Sequence, residues 1–179
     1  LHGHTGIVDD EREASETVRW GWLLHSPTEF KMDVTKKTLS TNNKTKGWVA
    51  VTQLFGGHVF TLSQTDRFVV PSAITGAEYP NQWHLTARVD GCSATRFLAI
   101  IQVGDEAVSI INRDGDTFNV GDWTIKAVLD ASKAPELTVS HRTEQAVFSY
   151  GTDNPALNGN FYSRQYTGCL LYTSPSPRD

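Results

Sequence analysis

From Val18 to Tyr150 the chain is a near-continuous series of short runs rich in β-branched and aromatic residues, separated by turn-forming residues. That pattern constrains the fold most, because such runs suit a pleated, half-buried surface and interrupt any helical periodicity. Trp20, Trp22 and Leu24 alternate with Gly21 and Leu23, and Pro27 stops the run. Gly47–Phe55 is followed by Gly56-Gly57 and then His58–Leu62, which predicts a hairpin with a primed turn. Gln82–Val89 and Arg96–Val103 flank Asp90-Gly91, read as a turn between two strands. Ala107–Asn112 and Thr117–Val120 face each other across Arg113-Asp114-Gly115-Asp116. In Asp122–Asp130 the residues Trp123, Ile125, Ala127 and Leu129 alternate with Asp122, Thr124, Lys126 and Val128, as in a half-buried strand. Leu137–Val139 and Ala146–Tyr150 complete the series, and the one helix candidate, Glu11–Glu16, is short and polar. The fold class expected is all-β: an antiparallel β-sandwich with a small second β-unit at the C-terminal end.

A composition shift near Arg113–Gly121 divides the chain into a sandwich over 1–112 and a smaller β-domain over 113–168. Cys169–Asp179 reads CLLYTSPSPRD, and its back-translation matches a transposase adapter used in sequencing libraries. Residues 169–179 are therefore expected to be a translated adapter on a community-derived read, and are set aside from fold and function. The only methionine, Met32, sits inside a patterned segment, so the natural chain is expected to begin upstream of Leu1. Without the tail Cys92 is the only cysteine, and no intrachain disulfide is expected.

Lys and Arg number 16 against 20 Asp and Glu, a net charge of −4. A dedicated nucleic-acid binder would carry a basic stripe instead. No apolar run approaches the ~20 residues of a membrane-spanning helix. No nucleic-acid or membrane partner is expected.

Few residues suggest chemistry. His2-Gly3-His4 on a strand, with Asp9 as an oxygen donor, has the spacing of a metal site, and a cupin opens with a comparable pattern. The Pro-x-Gly-x-x-His grouping that would complete a cupin is absent, since Pro80–His84 lacks the glycine, and a frayed terminus is the favoured reading. Asp9-Asp10-Glu11 reads as a solvated turn after an Ile7-Val8 strand, because adjacent strand carboxylates point to opposite faces. His25 and His84 are expected to be buried, hydrogen-bonded structural histidines, with no Ser or Cys nucleophile pattern beside them. Cys92 lacks an adjacent basic activator and reads as inert. Trp20, Trp22, Trp48, Trp83 and Trp123 have the rings to stack on sugars, but core packing is their commoner use. No P-loop, Gly-x-Gly-x-x-Gly or Cys-x-x-Cys occurs. No catalytic or metal-binding residue is assigned, and the substrate-binding residues are left open.

Val8–Asp33 places Asp9-Asp10 ahead of a polar connection, then Trp22-Leu23-Leu24-His25 and Pro27. Further on come Thr65-Asp66-Arg67-Phe68, Gln82-Trp83-His84-Leu85-Thr86, Arg96-Phe97-Leu98-Ala99-Ile100-Ile101-Gln102 and Asp122-Trp123-Thr124-Ile125. In this order, over Val8–Tyr150, they resemble the central β-sandwich and small C-terminal β-domain of heparinase II/III-like polysaccharide lyases. The resemblance implies a helical toroid upstream, with substrate bound between toroid and sandwich. It implies cleavage of uronic-acid polysaccharides, heparin-, heparan-sulfate- or alginate-like, by β-elimination. That reaction neutralises the uronate carboxylate, removes the C5 proton with a Tyr or His base, and protonates the departing C4 oxygen. The family's base, its His-rich motif and the zinc that some members hold through His and Asp all lie upstream, so no catalytic residue is carried over. The expectation is a β-sandwich fragment of a lyase, inactive alone and without its own cofactor, from a secreted or periplasmic protein. Its expected partners are an acidic polysaccharide and the missing toroid. The alternative is a noncatalytic carbohydrate-binding or adhesin-like β-sandwich.

Overall fold

The computed structural model describes residues 4–43, 48–67, 82–104, 110–142, 147–150 and 157–158. Within them every regular element is a strand, and the strands form two antiparallel sheets. The protein is an all-β sandwich. The adapter-like segment 169–179 lies outside the described residues, as do 105–109, Phe68 and Ala146 from the stretches read above.

The first sheet is built on two long strands, β1 (His4–Ser26) and β6 (Trp83–Gly104), paired along nearly their whole length. The other edge of β6 pairs with β4 (Trp48–Gly56) and, further along, with β5 (Thr61–Thr65). β3 (Thr38–Asn43) and β2 (Lys31–Asp33) continue outward from β4.

Four local readings change here. The Asp90-Gly91 pair does not reverse the chain but bends one continuous strand, with Gly91 at φ 77°. Opposite it β1 bulges, because the register passes from Glu13↔Ala94 to Val18↔Cys92 and then to Arg19↔Asp90. Glu11–Glu16 is therefore strand and bulge rather than helix, and Asp9–Glu11 runs inside β1 rather than in a turn. Nor do Gly56-Gly57 close a hairpin. The partners of β4 run from Gly104 down to Phe97, and those of β5 from Arg88 down to His84, so the two strands follow β6 in the same direction.

The second sheet, in the order β12-β11-β10-β9-β8-β7, is a meander. It comprises β7 (Ile111–Asp114), β8 (Thr117–Val120), β9 (Trp123–Ala127), β10 (Leu137–His141), β11 (Val147–Tyr150) and β12 (Leu157–Asn158). The Asp114↔Thr117 pair closes a tight hairpin across Gly115-Asp116, where the turn was expected.

Period-two alternation in β6 distributes the cores. Leu85, Ala87, Val89, Phe97 and Ala99 face one way from both sides of the bend, onto Trp22, Phe30, Leu39, Leu54 and Phe60. Leu98 and Ile100 face the other way, onto Phe118, Val120, Ile125, Ala127, Leu129, Leu137 and Val139 of the second sheet and the chain after β9. Thr95–Ile100 is thus buried on both faces. It carries one charged residue, Arg96, which determines how the two sheets meet at their rim.

Candidate functional site

Where β6 bends, the sheets leave a groove of about 780 Å³. This lies within the roughly 300–1,000 Å³ common for small-ligand sites. Its floor is Gly91, Cys92, Ser93 and Ala94, with Thr17 from the bulge of β1 beside them. One wall is Gly56-Gly57-His58, and the other is the loop after β9 with the β7–β8 turn.

The loop wall is held by Arg96, which is 3% exposed. Its Nη1 donates to the carbonyls of Val128 and Asp130, both at 2.9 Å, and its Nη2 donates to that of Lys133 at 2.6 Å. The carbonyl of Arg96 itself accepts the Gly57 N–H at 3.1 Å. Gly57 lies so close to this loop that a Cβ there would stand 2.0 Å from the Leu129 carbonyl oxygen. Only glycine fits, so both walls depend on one backbone approach.

Charge in the groove is unevenly compensated. Asp130 is held below the usual carboxylate range, chiefly by the Ser132 hydroxyl at 2.6 Å, then by the Ser132 N–H at 3.0 Å, with Lys133 at 3.6 Å adding to the effect. Asp116 acts on Lys126, whose pKa is raised first by its hydrogen bond to Glu136 at 2.8 Å and in smaller part by Asp116. Arg113 is exposed at the rim of the second sheet, on the same face as its register partner Phe118. Its Nε donates to the Gly115 carbonyl at 2.9 Å. Its guanidinium stands 5.2 Å from the Phe118 ring centroid and 5.8 Å from that of Phe55. These two rings are themselves in contact at 4.6 Å.

Residues singled out from the sequence fall elsewhere, apart from Cys92, which lines the groove half-buried with its carbonyl accepting the Trp20 indole N–H at 3.1 Å. His2 and Gly3 lie outside the described residues, and His4 opens β1 opposite Val103. Asp10 takes a two-point ion pair from Arg12, both contacts 2.8 Å, two residues along the strand on the same face. Among the described residues no three His, Cys, Asp or Glu side chains gather as a metal site requires, so a zinc ion has no ligand set there. His25 and His84 are cross-strand partners with ring centroids 4.5 Å apart. Against expectation His25 is exposed and His84 only half-buried. Leu24 and Leu85 take the core side, which puts their neighbours on the outer face. Trp22 lies in the first core with Trp20 and Trp83 half-buried against it, and Trp123 is half-buried against the second.

Arg96, Arg113 and Gly57 enter the sequence reading only as strand or turn residues, not as site residues. A lone charge at the head of the apolar run Arg96–Ile101 is the signal that would have found Arg96, because a charge in such a strand needs buried acceptors. Arg113, two residues after Ile111, lies on the same face of β7. No protein-family model matches this chain, and no curated protein matches it.

Proposed function

We propose that the chain is the β-sandwich part of a polysaccharide lyase that cleaves uronic-acid polysaccharides by β-elimination. The observation that carries this reading is the convergence of the stretches on which the resemblance rests. His25, at the end of Trp22–His25, is the register partner of His84, inside Gln82–Thr86, and His84 is also the partner of Thr65, which opens Thr65–Phe68. Three segments far apart in sequence thus meet at one end of one sheet. The Arg96–Gln102 stretch continues the same strand past the bend.

On this reading the sandwich supplies a rigid wall to the substrate cleft. The base and acid that act on the C5 proton and the C4 oxygen, and the zinc of some members, belong to the upstream toroid. The natural setting proposed is a secreted or periplasmic enzyme acting on an acidic polysaccharide. The test is ultraviolet absorbance of unsaturated uronate products from heparin, heparan sulfate and alginate. The 179-residue chain gives no rise, whereas the chain extended by its natural upstream sequence does. Turnover by the isolated chain would overturn the placement of the catalytic groups. An upstream sequence without a helical toroid bearing a Tyr/His set would overturn the lyase reading, in favour of a noncatalytic carbohydrate-binding or adhesin-like sandwich.

A further inference from the structure

We propose that Arg113 is the centre of an anion subsite in the groove, binding the carboxylate or sulfate oxygens of one acidic sugar residue. The inference rests on the glycan reading above and adds to it a location and a residue on the second sheet. Arg113 is already oriented. Its Nε–H is committed to Gly115, and its guanidinium carbon stands 5.2 Å from the Phe118 ring centroid and 5.8 Å from that of Phe55. Part of the side-chain entropy a flexible cation would lose on binding is therefore spent in folding. Among the described residues no carboxylate pairs with it and its terminal amino groups have no hydrogen-bond acceptor. Those groups are the ones that grip a planar carboxylate or a sulfate with two parallel hydrogen bonds.

Neither acidic residue of the groove is paired with Arg113: Asp130 accepts from the Ser132 hydroxyl and N–H and stands 3.6 Å from Lys133. Thr17, Ser93 and His58 also line the groove and carry groups that suit sugar hydroxyls. Arg113 is the one Lys or Arg among the groove's lining residues, which also include Asp116 and Asp130, and its free amino groups are what an anionic sugar would engage there.

The test is calorimetric titration of the 179-residue chain with heparin-derived, alginate-derived and cellulose-derived hexasaccharides at low and raised salt. The wild type binds an acidic oligosaccharide more tightly than the neutral one, with affinity falling as salt rises. Binding of the heparin fragment alone identifies sulfate as the ligand group, and binding of the alginate fragment identifies carboxylate. Arg113→Met keeps an unbranched stem over Phe118 and Phe55, so the fold, checked by circular dichroism, survives. Its affinity for the acidic fragment falls by about tenfold or more, the loss expected of a charge-assisted pair. Arg113→Lys, a point charge without the fork, recovers only part of it. If a folded Arg113→Met variant binds acidic fragments as the wild type does, the subsite is overturned and the glycan reading stands. If the wild type binds no acidic fragment, both fall.

Discussion

Replacing Arg96 by Met tests the claim that one buried guanidinium joins the sheets at the groove. The substitution keeps an apolar stem of similar length and removes every donor. The carbonyls of Val128 and Lys133 then lose the guanidinium, while that of Asp130 keeps the Lys133 N–H at 3.1 Å. Hydrogen bonds to a charged group contribute about 1.5–3 kcal/mol each, and an acceptor left unsatisfied inside costs about 1–3 kcal/mol. The sum is not the answer, because two effects offset it. Asp130 is exposed and its loop can regain water, as can that of Lys133. Removing a buried charge also relieves its desolvation cost. Val128 is half-buried, and its carbonyl is the least able to find water.

The net expectation for Arg96→Met is therefore a loss of about 2–4 kcal/mol. For a chain of this size that corresponds to about 5–15 °C in melting temperature. Urea denaturation followed by tryptophan fluorescence measures it, with an unchanged m-value showing that the same surface unfolds. Arg96→Lys separates charge from geometry: one ammonium cannot meet three carbonyls in the guanidinium's positions, so it loses about as much. If Arg96→Met unfolds within about 0.5 kcal/mol of the wild type, the margin typical of an inconsequential surface change, the clamp is refuted.

The glycines give a paired contrast. Gly57→Ala, whose Cβ would meet the Leu129 carbonyl at 2.0 Å, forces the walls apart and costs about 2–4 kcal/mol in the same urea assay. Gly91→Ala meets nothing within 4 Å and bears only the strain of φ 77°, about 1–2 kcal/mol. An equal cost for both would show that the approach of Gly57 to the loop is not what constrains it. In acid, Asp90 and Asp130 both have carboxyl pKa values depressed from 3.8, by Arg88 and Ser132 first in each case. Their contribution is present above 3.8 and is lost as pH falls through the lower folded-state values. An Asp90→Asn, Asp130→Asn double variant should therefore show a shallower loss of melting temperature below that pH. In base, the pKa of Lys126 is raised from 10.5, so its contribution is complete below that value and is lost as pH rises beyond it. Lys126→Met should flatten only the alkaline limb.

What could be read from the sequence was whatever local chemistry decides. Pro27 following the alternating Trp20–Leu24 run and the Gly115-Asp116 hairpin needed no distant partner, and both are present. The reading of Gly56-Gly57 as a hairpin failed for the opposite reason. Two adjacent glycines permit a primed turn, but they equally permit the close approach of a remote backbone. Here that backbone is Leu129, more than seventy residues along, and Arg96 lies between the two in sequence. Asp90-Gly91 is the same case: its positive φ bends a strand because β1 supplies a bulge opposite it. Each misreading took a conformational permission for an instruction. The groove exists only where these permissions coincide, at a bend, a bulge and a bare backbone contact, while its most oriented side chain, Arg113, comes from the other sheet. A site assembled in this way leaves no contiguous motif. It is found by asking why a charge such as Arg96 stands in an apolar strand, and what its acceptors hold in place.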